Sequence, residues 1–297
     1  MAAVEALELY KRYRGIPAID GLDLTVEQEE VYAVCGDPGA GKSTLLSILA
    51  GLLYPDAGSV EILGVDPCRK PAQAHAFVGY VPQVPVFYPR MTAEKILRYS
   101  ARLHHVPGEE IDQLTRELME CLELPENTRA GKLSASEQKR LAVGSALIYS
   151  PQVLLVDELA ENLSSAELLS VLALLNGERS RGITIVFTTG EPEKLASFCS
   201  RMCWLRQGRL YAEIEAKKLV NPRFKLLYLD REPIEAVYGI PDLFFVESDG
   251  ASSVFLYHGE EARLRGQLGA LRQEAYRIHS MTREELFYLL SRLGDRL

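Results

Sequence analysis

Apolar residues gather in short runs along the first two-thirds of the chain, at positions 4–9, 31–35, 60–63, 78–81, 153–156 and 183–188. Each run is too short for a helix and most are rich in Val, Ile and Leu, so each predicts a strand. Between the later runs the apolar period lengthens to that of a helix. From 91 to 150 no strand pattern occurs: Thr92 stands as an N-cap before a helical pattern through Leu97 and Leu103, and another follows over 111–122. The alternation predicts an α/β architecture with a largely parallel central sheet, and a helical subdomain inserted over about residues 84–150. Beyond about residue 216 the pattern changes again. Strands are predicted at 224–229, 243–247 and 254–258, with Asp249-Gly250 as a hairpin turn between the last two. A helix is predicted over 260–274, and the capping box Thr282-Arg283-Glu284-Glu285 precedes the apolar face of Leu286, Phe287, Leu289 and Leu290. Two units follow from this division: 1–218, and a small α+β appendage at 219–297.

Chemistry enters at the end of the second run. Residues 31–35 lead into Gly36-Asp37-Pro38-Gly39-Ala40-Gly41-Lys42-Ser43-Thr44, and an apolar helical pattern follows from Leu45. Strand, glycine-rich loop and helix in that order form a phosphate-binding loop. The glycines let backbone N–H groups turn inward on an anion, and the positive end of the helix faces it. Lys42 is placed to reach the β- and γ-phosphates, and the Ser43 hydroxyl to ligate magnesium. Such a loop needs an acidic partner, and the run 153–156 ends in Asp157-Glu158. Asp157 suits magnesium's second sphere, through a water. Glu158 is placed to orient or deprotonate an attacking water. The chain therefore reads as a nucleotide-binding protein that uses Mg2+.

Composition narrows the partners. Over 297 residues the net charge is −8 and the pI about 5.3, which argues against a nucleic-acid binder, since phosphate contacts need clustered Lys and Arg. The five cysteines are odd in number and scattered, which suits reduced thiols, and Cys199 and Cys203 lack the second pair of a metal site. No run approaches 18 apolar residues, and Met1-Ala2-Ala3-Val4-Glu5 has neither the basic start nor the apolar core of a signal peptide. Any membrane role is expected to be peripheral.

Further segments then fall in one family's order and spacing. Gln83 follows Val78-Gly79-Tyr80-Val81-Pro82, Leu133-Ser134 precede Gln138-Lys139-Arg140-Leu141, and Asp157-Glu158 close the series. On these motifs residues 1–215 resemble the nucleotide-binding subunits of ABC transporters, a P-loop NTPase fold of ABC ATPase type. The appendage resembles, by pattern alone, the C-terminal extension of subunits serving ABC-2-type exporters. The resemblance implies that Tyr13 stacks on adenine, with Tyr10 as the neighbouring alternative. It also implies that Gln83 senses magnesium and couples to the membrane partner, and that Glu158 is the catalytic carboxylate. Ser134, Ala135, Ser136 and Glu137 stand at the signature loop, which crosses a dimer to the other subunit's ATP. The implied function is ATP hydrolysis coupled to transport. Its implied partners are a second nucleotide-binding subunit and integral membrane subunits, at the cytoplasmic face of a membrane.

The chain departs from that family at three places. The usual Leu-Ser-Gly-Gly-Gln is replaced after Leu133-Ser134 by Ala135, Ser136 and Glu137. Side chains at 135 and 136 crowd a phosphate's approach, and Glu137 brings a like charge toward it. Gly190 stands where a histidine normally follows the threonines, and Ser164 where an aspartate is usual. These changes leave two readings: an energising ATPase subunit, or a nucleotide-binding regulatory subunit paired with an active partner. They also favour a heterodimer over a homodimer.

Overall fold

The structure, a computed structural model, describes residues 1–217, 224–230, 235–248, 252–271, 275–281 and 289. Strands β1 (Ala2–Tyr13) and β2 (Ile16–Glu27) form an antiparallel hairpin. Its turn residues, Arg14 and Gly15, have φ of 51° and 85°, a pairing whose twist matches that of the strands. After β3 (Val31–Cys35) and α1 (Lys42–Leu49), strand β4 (Ala57–Ile62) adds to the free edge of β1, giving the order β2-β1-β4. The runs at 4–9 and 60–63 thus belong to a separate antiparallel sheet and not to the central one, a correction with a physical reason. Along β1 Val4, Ala6 and Leu9 are buried while Glu5, Leu7 and Glu8 face outward, so only one side of this sheet meets a core.

The central sheet is buried on both faces. It comprises β3, β5 (Val78–Val81), β6 (Val153–Val156), β7 (Thr184–Thr189), β8 (Arg201–Arg206) and β9 (Arg209–Glu215), in the order β5-β6-β7-β3-β8-β9. Every adjacent pair is parallel except the hairpin β8-β9. Along β3, Val31, Ala33 and Cys35 enter one core while Tyr32 and Val34 enter another. Strand β6 divides likewise, with Leu154 and Val156 on the first side and Val153 and Leu155 on the second. The second core is closed by α1 and by the buried face of the antiparallel sheet.

The first core is closed by the helical region. Helices α3 (Ala93–Leu103), α4 (Gly108–Cys121) and α5 (Ala135–Leu147) follow the short α2 (Pro71–Ala74), and α6 (Ser165–Arg179) and the short α7 (Pro192–Leu195) come later. Thr92 caps α3 as its position predicts, accepting from the Lys95 N–H. Among the described residues of 91–150, the sole strand-like pairing is an isolated bridge between Thr92 and Arg129.

Strands β10 (Phe224–Leu229), β11 (Leu243–Ser248), β12 (Ser253–His258) and β13 (Tyr276–Ser280) form an antiparallel sheet in the order β11-β12-β10-β13. Leu227, Leu229, Phe255 and Tyr257 build a small core with Leu264 and Leu268 of the helix Glu261–Ala270, while Phe224, Val246 and Leu256 join the first core. That helix ends sooner than the sequence pattern suggests, and residues 272–274 lie outside the described residues. So do the Asp249-Gly250 turn and, apart from Leu289, the last helix expected from Thr282 onward.

Candidate functional site

The loops after β3, β5, β6 and β7 leave the same, carboxyl end of parallel strands, where open α/β sheets form clefts. Two glycines let the first of these loops fit. A Cβ on Gly36 would lie 2.3 Å from the Leu205 carbonyl oxygen, and one on Gly41 2.2 Å from that of Ala18. Both have positive φ, 151° and 108°, so packing and conformation agree. Helix α1 starts at Gly41 with no side-chain cap and no acidic residue in its first turn, leaving its N–H groups and dipole uncompensated.

A cleft of about 530 Å³ opens in front of this loop, lined by Tyr13, Gly39, Gly41, Lys42, Ser43, Thr44, Gln83, Glu158 and Gly190, and also by Glu161 and Glu191. Lys42 is nearly buried. Its ammonium donates to the carbonyls of Gly36 at 2.7 Å and Asp37 at 3.3 Å, and pairs with Glu158 Oε1 at 3.0 Å. Ser43 Oγ donates to Asp157 Oδ1 at 3.1 Å, and Thr188 Oγ1 donates to the same oxygen at 2.6 Å. Gly36, Ala40 and Asp157 stand behind the lining: Gly36 through its carbonyl on Lys42, Ala40 through its carbonyl on the Gly208 N–H, Asp157 through Ser43. Glu158 sits in the left-handed region at φ 50°, with its own N–H on Thr188 Oγ1 and its Oε2 accepting from the Gly190 N–H at 2.9 Å.

Hydroxyl, carboxylate and amide oxygen from Ser43, Asp157 and Gln83 form the all-oxygen set that a hard divalent cation takes, so the residues present fit magnesium. Gln83 has a partner that sequence reasoning missed: its Nε2 donates to Glu161 Oε2 at 2.8 Å. Three residues past Glu158, Glu161 carried no motif signal, though its side of the post-β6 loop could have been suspected. Lys139 was missed as well. It is 1% exposed and donates to the backbone carbonyls of Asp157 and Pro82. Burial pushes it down to about 8, opposed by the carboxylates of Asp157, Glu161 and Glu158.

The segment Ser134–Glu137 does not line the cleft. Its side chains are spent within the chain. Ser134 Oγ accepts from the Glu137 N–H at 3.2 Å and Glu137 Oε2 accepts from the Ser134 N–H at 2.7 Å, a complete capping box at the start of α5. Ser164 and Glu167 build the same box on α6, and Ser136 Oγ joins the two by donating to Glu167 Oε1 at 2.8 Å. Hydrogen bonds from Ser164 and Ser136, with the Arg140 guanidinium beyond, hold Glu167 down to about 2. A carboxyl lowered by folding stabilises the native state above its ordinary value, and loses that contribution as pH falls from about 4.5 towards 2. Urea midpoints of wild type and Glu167→Gln should therefore converge at the acid end of that window. A constant gap between them would contradict the linkage.

Comparison with known proteins places this geometry. The family model described as ABC transporter matches residues 19–161. A probable multidrug ABC transporter ATP-binding protein, YbhF of Escherichia coli strain K12, is 34% identical over 234 residues, 76% of this chain. The match spans 40% of that relative's length. Nod factor export ATP-binding protein I of Burkholderia thailandensis is 32% identical, over 74% of this chain and 73% of its own. Among solved structures, the ATP-binding cassette MJ0796 in a dimeric post-hydrolysis state bound to ADP and Pi superposes with a TM-score of 0.67 at 25% identity, covering 72% of this chain and 98% of that one. With the phosphate loop, the paired acids after β6 and the inserted helices in one frame, the chain belongs to the family of ABC transporter ATP-binding subunits.

Proposed function

We propose that the chain binds Mg-ATP in the cleft before α1 and hydrolyses it as one of two nucleotide-binding subunits of an exporter-like ABC transporter, peripheral on the cytoplasmic face of the membrane. The observation that carries this reading is the convergence of Lys42, Ser43, Asp157 and Glu158 on one cleft. Lys42 and the N–H groups of Gly39 to Thr44 hold the phosphates, and Tyr13, half-exposed at the rim, lies under adenine. Ser43, Gln83 and Asp157 would hold magnesium, which would supply charge neutralisation at the phosphates.

Glu158 Oε1 pairs with the Lys42 ammonium and its Oε2 accepts from the Gly190 N–H. A triphosphate competes for the ammonium, because phosphate oxygens offer it more than one acceptor. Oε1 is then released to take a proton from the attacking water, while Oε2 keeps the carboxylate aimed.

The second subunit is a different chain in this reading. Ser134 Oγ and the Glu137 N–H are committed to each other, and the Glu137 carboxylate already neutralises the start of α5. What this chain offers across a dimer is therefore weak, and a partner with an open signature segment completes the site built on Lys42. Loss of even one hydrogen bond to a charged group removes roughly 1.5–3 kcal/mol, about tenfold or more in rate if it acts in the transition state. ATP turnover by the isolated chain should accordingly be at least about tenfold below that of the complex co-purified from detergent-solubilised membranes. Equal turnover in the two would remove the heteromeric reading.

A further inference from the structure

Strands β5 and β6 run in register to the pair Val81 and Val156, and the Asp157 N–H to Val81 O bond, at 2.8 Å, is the last rung between them. Beyond it Pro82 has no N–H to give, and the chains part around the floor of the cleft. Two carbonyls are left at the fork, those of Pro82 and Asp157. Both accept from Lys139 Nζ, the first at 3.2 Å. The lysine comes from α5, five residues beyond Ser134, and it makes no ion pair among the described residues. A buried ammonium without a carboxylate partner is costly, and a methionine would fill the same space without that cost, so packing alone does not explain it. What distinguishes the lysine is where its donors go. Each carbonyl it holds belongs to the residue immediately before a proposed working side chain: Pro82 before Gln83, Asp157 before Glu158.

We propose that Lys139 is a positioning residue for hydrolysis, fixing the separation of the Gln83 and Glu158 backbones and tying it to the placement of α5. The proposal rests on the reading of Glu158 as the base. A displacement of α5, whose first turn is the segment that faces a partner in that reading, is carried by one side chain to both sides of the cleft floor. Among the described residues no hydrogen bond joins Lys139 Nζ to Lys42, Ser43 or the glycine loop, so the direct phosphate contacts are not expected to depend on it.

The test uses the full chain in its membrane complex, with ATP as substrate. Lys139→Met keeps the length of the stem and removes the donors; Lys139→Arg restores charge and donors. Lys139→Met should lower kcat by at least about tenfold, the scale of a small misplacement of reacting groups, while KM and the ATP-dependent Tm shift stay within about twofold. Lys139→Arg should recover a measurable part of the lost kcat. If Lys139→Met does not accumulate as folded protein, Lys139→Leu, which likewise carries no donor, is compared with wild type on the same kcat and KM criteria. A kcat within about twofold of wild type for the neutral variant, with Glu158→Gln inactive, overturns the proposal and leaves the base assignment standing. A joint loss of kcat, KM and the Tm shift also overturns it, by reducing Lys139 to a structural group. Full turnover by Glu158→Gln removes the base assignment, and the proposal with it.

Discussion

Lys42→Ala should abolish the thermal stabilisation that ATP gives the wild-type chain. A ligand that binds only the native state stabilises it by RT ln(1 + [L]/Kd), about 2.7 kcal/mol at a hundredfold excess over Kd. For a domain of this size that corresponds to a Tm rise of roughly 2–4 °C per kcal/mol. The lysine is the one ammonium within reach of the glycine loop in the described cleft, so its removal takes away the charge that phosphate binding needs. The substitution also leaves Glu158 Oε1 and the Gly36 carbonyl without their donor, which shifts the variant's own Tm. The quantity to compare is therefore the increment on adding Mg-ATP, not the absolute midpoint. An equal increment in wild type and variant would place the nucleotide elsewhere.

Glu158→Gln should leave ATP bound and stop its hydrolysis. The amide can still accept from the Gly190 N–H, so the side chain keeps its place, but it has no basicity with which to take a proton. General base catalysis contributes about 10²–10⁴ in rate, and kcat of the complex should fall by that order. The ion pair with Lys42 disappears at the same time. Since that pair competes with phosphate, the variant's affinity for ATP should be no weaker than wild type. Retained turnover would transfer the role to another carboxylate of the same cleft, Glu161 or Glu191, or to a site supplied wholly by the partner.

Much of the core was legible in the sequence because strands buried on both faces read as unbroken apolar runs. Strands β3, β5 and β6 fall where those runs predict. Strand β2 was hidden by its polar alternation: Asp20, Gly21 and Asp23 interrupt it, and only its pairing with β1 makes it a strand. The turn Gln207-Gly208, with φ of 50° and 78°, could have announced β8 and β9, as Arg14-Gly15 could have announced β2. In the site, residues whose chemistry is local in sequence were readable, since Gly36 to Thr44 form one loop. Contacts created by the fold were not. Nothing in the order of residues says that Glu161 reaches Gln83, or that Lys139 turns inward to the fork of two strands.

The same distinction separates the glycines of the cleft by their mutational freedom. Gly36 and Gly41 are locked by the carbonyls packed against them, so drift at either would break the phosphate loop. Gly190 is under no such constraint. A Cβ there would meet only Glu158 Oε2, at an ordinary 3.9 Å, and its φ lies outside the left-handed region that favours glycine. Architecture therefore does not demand glycine at 190: one substitution could set a proton-bearing side chain beside Glu158 without rebuilding β7 or the loop that follows it.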